Sequence, residues 1–121
     1  MQTLLWYNKL NFYVEEAMDM SEREALALIG RRRRQILVHS CIYYVFGDSL
    51  VSDETWTAWA LELEQMQKEY PDAAGKAPYA AAFLNFDHST GYDLPLRDAA
   101  VMSRALQLLR MKDRRQKEAL A

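Results

Sequence analysis

The stretch from Ser21 to Pro71 leaves little freedom in how this chain can fold. Ser21-Glu22-Arg23-Glu24 puts a hydroxyl at a helix start with a carboxylate three residues on, the reciprocal arrangement that satisfies orphan N–H groups. Leu26, Ile29, Ile36, Leu37, Ile42 and Tyr43 then recur at helical spacing, which predicts one long helix to about Val45, with Gly30 a tolerable weak point inside it. Gly47 suits the left-handed turn that ends a helix. After a connection of about six residues, Ser52 is placed to cap a second helix, and Asp53 and Glu54 set negative charge on its positive end. Trp56, Trp59, Leu63, Met66 and Tyr70 form one stripe along it, and Pro71 stops it. So short a connection makes the two helices neighbours, roughly antiparallel.

The remainder is read around this pair. Residues 1–20, with mixed apolar spacing, form an N-terminal arm or helix. Residues 72–121 hold an irregular segment punctuated by Gly75, Pro78, Gly91 and Pro95, then a final helix from near Leu96 to about Gln116. Ala99, Met102, Leu106 and Leu109 are expected to face inward there, and Arg104, Arg110, Lys112, Arg114, Arg115 and Lys117 make its end basic. With no repeat or low-complexity tract, the expectation is a mainly α, small single-domain helical bundle over residues 1–121, built around the helix-loop-helix at 21–71.

Composition narrows the function classes. Half of the 121 residues are apolar and the net charge is −2, which excludes a disordered acidic chain and a uniformly basic nucleic-acid coat. Cys41 is the one cysteine, so an intramolecular disulfide and a multi-cysteine zinc site are excluded, and a reducing compartment fits. The longest uncharged run, Ile36 to Phe46, is too short to cross a bilayer, and the N-terminus lacks a basic region leading into an apolar core. A cytoplasmic protein is expected. Two histidines and one cysteine have no recognised metal spacing, and no metal is expected.

The short connection brings Tyr43 and Tyr44 close to Asp53 and Trp56. Aromatic faces carry negative charge, so a cationic ring between tyrosine and tryptophan would gain stacking, area burial and cation–π attraction together. A carboxylate at the edge could accept hydrogen bonds from an amide or from sugar hydroxyls. On spacing alone the favoured reading of the same residues is the core of a helix pair, with Asp53 as a cap.

The run HSCIYYVFGDSLVSDETWTAWALELEQMQKEYPD resembles the small N-terminal (Ia) domain of NAD-dependent DNA ligases. His39, Tyr43, Tyr44, Ser52, Asp53, Leu63, Glu64 and Pro71 fall in register with its helix-loop-helix without a gap. The similarity covers little more than a quarter of the chain. In that family the domain grips the nicotinamide mononucleotide (NMN) half of NAD while a separate domain takes the adenylate onto a lysine. The resemblance therefore implies that Tyr43 and Tyr44 contact a nicotinamide nucleotide, NMN or NAD, that Asp53 holds a polar edge, and that Trp56 supplies a stacking face. Two positions depart from the pattern: Trp56 replaces a tyrosine, and Thr57 replaces an aspartate, so ligand choice is expected to shift.

Adenylation needs a nucleophilic lysine in a Lys-x-Asp-Gly setting, and Lys9, Lys68, Lys76, Lys112 and Lys117 all stand in other contexts. The expectation is a non-catalytic binding module like the stand-alone ligase-related proteins of phage genomes, acting as a sponge for an NAD-derived molecule or as a ligase modulator. A second reading is a protein-interaction or inhibitor module, with a protein partner or a second copy of the chain, in which Trp56 and Trp59 fill the inherited pocket. A weaker third is a small DNA-binding helical protein using the two arginine-rich regions.

Arg31 to Arg34 stand consecutively on the first helix and so spread around its circumference. The plain reading is four solvated side chains with snorkelling stems. The sharper one uses Arg32 or Arg33 as a phosphate clamp. Arg34 is nevertheless about 13 Å along the axis from Tyr43. Asp87-His88-Ser89-Thr90-Gly91 reads as a turn rather than a catalytic pair, and His39 serves as a core, capping or ligand-contact histidine.

Overall fold

The computed structural model describes residues 21–120; the N-terminal arm or helix expected at 1–20 lies outside the described residues. Four helices follow in order: α1 (Glu22–Tyr44), α2 (Asp53–Glu69), α3 (Pro71–Lys76) and α4 (Ala99–Leu120). There is no strand among the described residues. The protein is a mainly α bundle with α1 at its centre, packed against each of the other three helices.

Local signals set the helix ends. Ser21 Oγ accepts the Glu24 N–H at 3.2 Å, and Ser52 Oγ accepts the Thr55 N–H at 3.1 Å, each supplying an acceptor to a donor that the helix itself leaves orphaned. Gly47 has φ +65°, the conformation that lets the chain turn away after Tyr44 and Val45. Pro71 does more than end α2. Tyr70 leaves helical geometry, and Pro71 opens α3 at its first position, where its missing N–H removes nothing. Asp98 precedes α4 and accepts the Val101 N–H at 3.2 Å and the Tyr79 hydroxyl at 3.0 Å, so one carboxylate caps α4 and anchors the segment before it.

The core joins Ala25, Ile29, Ile36, Leu37, Cys41 and Ile42 of α1 to Ala60, Leu63 and Met66 of α2 and to Phe83, Val101 and Ala105. On α4 the inward face differs from the expected one. Val101 and Ala105 are buried, Met102, Leu106 and Leu109 are half-buried, and Ala99 is exposed. The helix starts three residues later than Leu96, which is itself buried just before it.

The run of four arginines is not a solvated set. Arg33 is 1 % exposed. Its Nε and Nη2 donate to Gln67 Oε1 at 3.0 and 2.8 Å, Nη2 also to the Ala74 carbonyl at 2.8 Å, and Nη1 to the Ala77 and Pro78 carbonyls, both at 3.1 Å. All five N–H donors of the guanidinium are thereby used. The cation rests on carbonyls at and beyond the C-terminal end of α3, where the helix dipole is negative, and its carbon lies 5.6 Å from the Phe83 ring centre. Burial pulls its pKa below the ordinary arginine value. Arg32 pairs with Glu62 at 3.0 Å and donates to Gln35 at 2.6 Å, while Arg31 and Arg34 are exposed. The run thus divides into a buried strut, a pair across α1 and α2, and two solvated side chains; the phosphate clamp is excluded for Arg33 by its committed donors.

Candidate functional site

Where α1 ends and α2 begins, the two helices and the loop between them border a cavity of about 240 Å³. Tyr43, Tyr44, Asp53, Trp56 and Thr57, the five residues singled out from the sequence, all line it. Their spacing explains why. Asp53, Trp56 and Thr57 occupy one face of the first turn and a half of α2, as steps of three and four require, and His39 and Tyr43 stand one turn apart on α1.

The aromatic walls are held at fixed angles. Tyr44 meets Tyr43 edge-on at 4.9 Å and Tyr92 edge-on at 5.3 Å, and its hydroxyl lies 3.2 Å from Thr90 Oγ1. Tyr43 remains 58 % and Tyr44 43 % exposed, so their rings are surface walls and not core. Trp56 is half-buried, and its Nε1–H donates to Ser40 Oγ at 3.1 Å. Trp59 lies away from the cavity, 5.4 Å from the His39 ring. The two tryptophans therefore leave the space between the helices open.

One wall was not foreseen. His88, Ser89, Thr90 and Gly91, from the segment between α3 and α4, line the cavity as well. Locally this is the expected turn: the Asp87 carboxylate accepts the Ser89 N–H at 2.7 Å and the Ser89 hydroxyl, which holds its pKa below the usual carboxylate range. Its placement comes from distant partners. Glu64 Oε2 takes the His88 N–H at 3.2 Å and lies 2.9 Å from His88 Nδ1. Gly91 fits because it has no side chain; a Cβ there would collide with Ser40 Oγ and come within 3.0 Å of Ser40 Cβ and 3.2 Å of the Trp56 ring. The α1–α2 loop that supplies Ser49, Leu50 and Val51 is fixed in turn by Asp48, whose carboxylate pairs with Lys112 of α4 at 2.8 Å. That hydrogen bond, with the Ser49 N–H, holds the Asp48 pKa below its ordinary value.

Electrostatically the lining is nearly neutral. Among the described residues Asp53 is its one carboxylate, and no lysine or arginine lines it. His39 is a half-buried wall residue whose pKa is lowered by desolvation, and its Nδ1 is buried without a hydrogen-bond partner. The described residues hold no group of three or more histidine, cysteine or carboxylate side chains that could bind a metal ion. An aromatic slot of this size can take a planar ring with a further group attached, since an apolar cavity of about 150 Å³ already holds benzene. Compared with known proteins, the chain matches no family model, no curated protein and no solved structure.

Proposed function

We propose that this protein is a non-catalytic binding module for a nicotinamide-bearing, NAD-derived molecule, NMN and NAD among them, held at the open slot between α1 and α2. The observation that carries the reading is the convergence of Tyr43, Tyr44, Asp53, Trp56 and Thr57 on one cavity. These are the positions to which the ligase-domain resemblance gives nucleotide contacts. A cationic pyridinium ring against these π faces gains about 0.5–2 kcal/mol per cation–π contact beyond area burial. Asp53 at the rim accepts from an amide or from ribose hydroxyls.

Catalysis forms no part of the proposal: among the described residues the lining offers no lysine to take an adenylate and no paired acid and base poised on a common atom. A phage-encoded sponge for such a metabolite and a modulator of a ligase acting in trans are the two uses that the ligase-like arrangement supports, in a reducing, cytoplasmic setting. No helix of the described residues is long and apolar enough to cross a membrane.

Titration calorimetry with NMN, NAD and the nicotinamide nucleoside tests the proposal, with the Tyr43→Ala, Trp56→Ala double variant as control. Binding that the double variant loses is expected. Absence of heat for every member of the set at millimolar concentration, or binding unchanged in the double variant, sinks the reading. The interaction-module alternative then draws on the exposed Tyr43, Tyr92 and Leu84 rather than on a filled pocket. A DNA-binding role has less to draw on, since Arg33 is buried and Arg32 is paired; it requires duplex binding that falls steeply with salt.

A further inference from the structure

The polar groups around the cavity divide into those already used by the protein and those left for a guest. Ser40 accepts from Trp56, Ser49 Oγ donates to the Val51 carbonyl, and Ser52 Oγ caps α2. The Ser89 hydroxyl is turned to Asp87, Thr90 Oγ1 accepts the Tyr92 N–H, and His88 faces Glu64. The side-chain oxygens of Tyr43, Asp53 and Thr57 make no hydrogen bond among the described residues. Asp53 and Thr57 stand one helical turn apart, so the carboxylate and the free hydroxyl rise from the same face of α2.

No lysine or arginine among the described residues lines the cavity to receive a phosphate. Arg32 is paired with Glu62, Arg33 is held on backbone carbonyls, and Lys112 is paired with Asp48. The anion-attracting feature at the cavity is the start of α2, where backbone N–H groups point outward. Ser52 Oγ already occupies the Thr55 N–H, and Asp53 and Glu54 place two negative charges in that first turn. A phosphate carrying about −1.5 to −2 charges would be repelled there.

Resting on the nucleotide-site reading above, we infer that the cavity selects the phosphate-free form of its ligand: a cationic heteroaromatic nucleoside, with the ring against Tyr43 and Trp56 and its hydrogen-bonding edge on Asp53 and Thr57. The Thr57 hydroxyl both donates and accepts and so suits a neutral sugar hydroxyl.

The test compares nicotinamide riboside, NMN and a neutral nucleoside, uridine, by calorimetry on the full chain, with the Asp53→Asn and Thr57→Asp variants. The riboside is expected to bind at least about tenfold more tightly than NMN and than uridine, a difference of about 1.4 kcal/mol each. Asp53→Asn is expected to weaken riboside binding while narrowing its margin over NMN, and Thr57→Asp to widen that margin. Circular dichroism and melting confirm that both surface variants remain folded. NMN binding as tightly as the riboside overturns the inference and leaves the nucleotide-site reading standing. Uridine matching the riboside removes the cationic ring from it, and an unchanged margin in Asp53→Asn removes the carboxylate. Loss of all binding across the set removes both readings together.

Discussion

Replacing Arg33 by methionine separates a structural arginine from three neighbours of the same type. Methionine retains much of the stem and removes the charge, so the desolvation burden of a buried guanidinium disappears; where every partner is replaced too, such exchanges are often neutral. Here the partners stay. The carbonyls of Ala74, Ala77 and Pro78 and the Gln67 side chain all lose their donor. Each stranded acceptor costs about 1–3 kcal/mol if it stays dry, and some regain water as the segment relaxes, which leaves about 3–5 kcal/mol of net loss. Against a total of about 5–15 kcal/mol for a domain of this size, that is a large share, and the melting temperature should fall by more than about 12 °C. Arg33→Lys supplies three donors instead of five and is expected to recover part of the loss. Arg32→Met gives up a partly exposed pair and should cost about 0.2–1 kcal/mol, and Arg31→Met and Arg34→Met should fall within about 0.5 kcal/mol of the parent. Urea unfolding of the four methionine variants reads the series directly. If Arg33→Met lies within about 1 kcal/mol of Arg31→Met, the strut is unimportant and the reasoning from satisfied donors is wrong.

Gly91→Ala forces a methyl group against Ser40 and Trp56 and is expected to destabilise by about 1–3 kcal/mol; the loss should shrink in a Ser40→Ala background, and strict additivity in that cycle would refute the contact. His39 has its pKa lowered from 6.5 by burial, so at mildly acidic pH the unfolded chain binds a proton that the folded chain resists. Its contribution is complete above the unfolded value of 6.5 and fades as pH falls toward the lower folded value, so urea midpoints of the parent should drop relative to His39→Gln below that pH; parallel curves would contradict it. Cys41 is fully buried and desolvation raises its thiol pKa, so a thiol reagent should label it only at the rate of unfolding; rapid native-state labelling would show the packing around it to be open.

What the sequence made legible was local. Ser21, Ser52 and Gly47 mark helix ends through chemistry that acts within four residues, and each is found in that role. The five cavity residues could be grouped because a short connection ties the end of one helix to the start of the next. Arg33 could not be told from Arg31, Arg32 or Arg34, since its acceptors lie 34 to 45 residues further on and no pattern near position 33 announces them. The turn at residues 87–89 was readable from Asp87, but its position over the cavity depends on Glu64, 24 residues earlier in the chain. On α4 the larger apolar residues drew the predicted face toward Leu106 and Leu109, whereas close helix contact favours the smaller Val101 and Ala105.

The strut also bears on whether the α1–α2 hairpin could be excised as an independent fold. A fragment ending at Pro71 would retain the cavity side chains of α1 and α2, yet it would strand a guanidinium whose carbonyl acceptors were cut away, and it would lose Gly91 from the cavity lining. Transplanting the hairpin into another scaffold would meet the same obstacle. The segment after α2 thus completes both the packing of Arg33 and the lining of the cavity, and the smallest portable version must extend past α3 to Gly91.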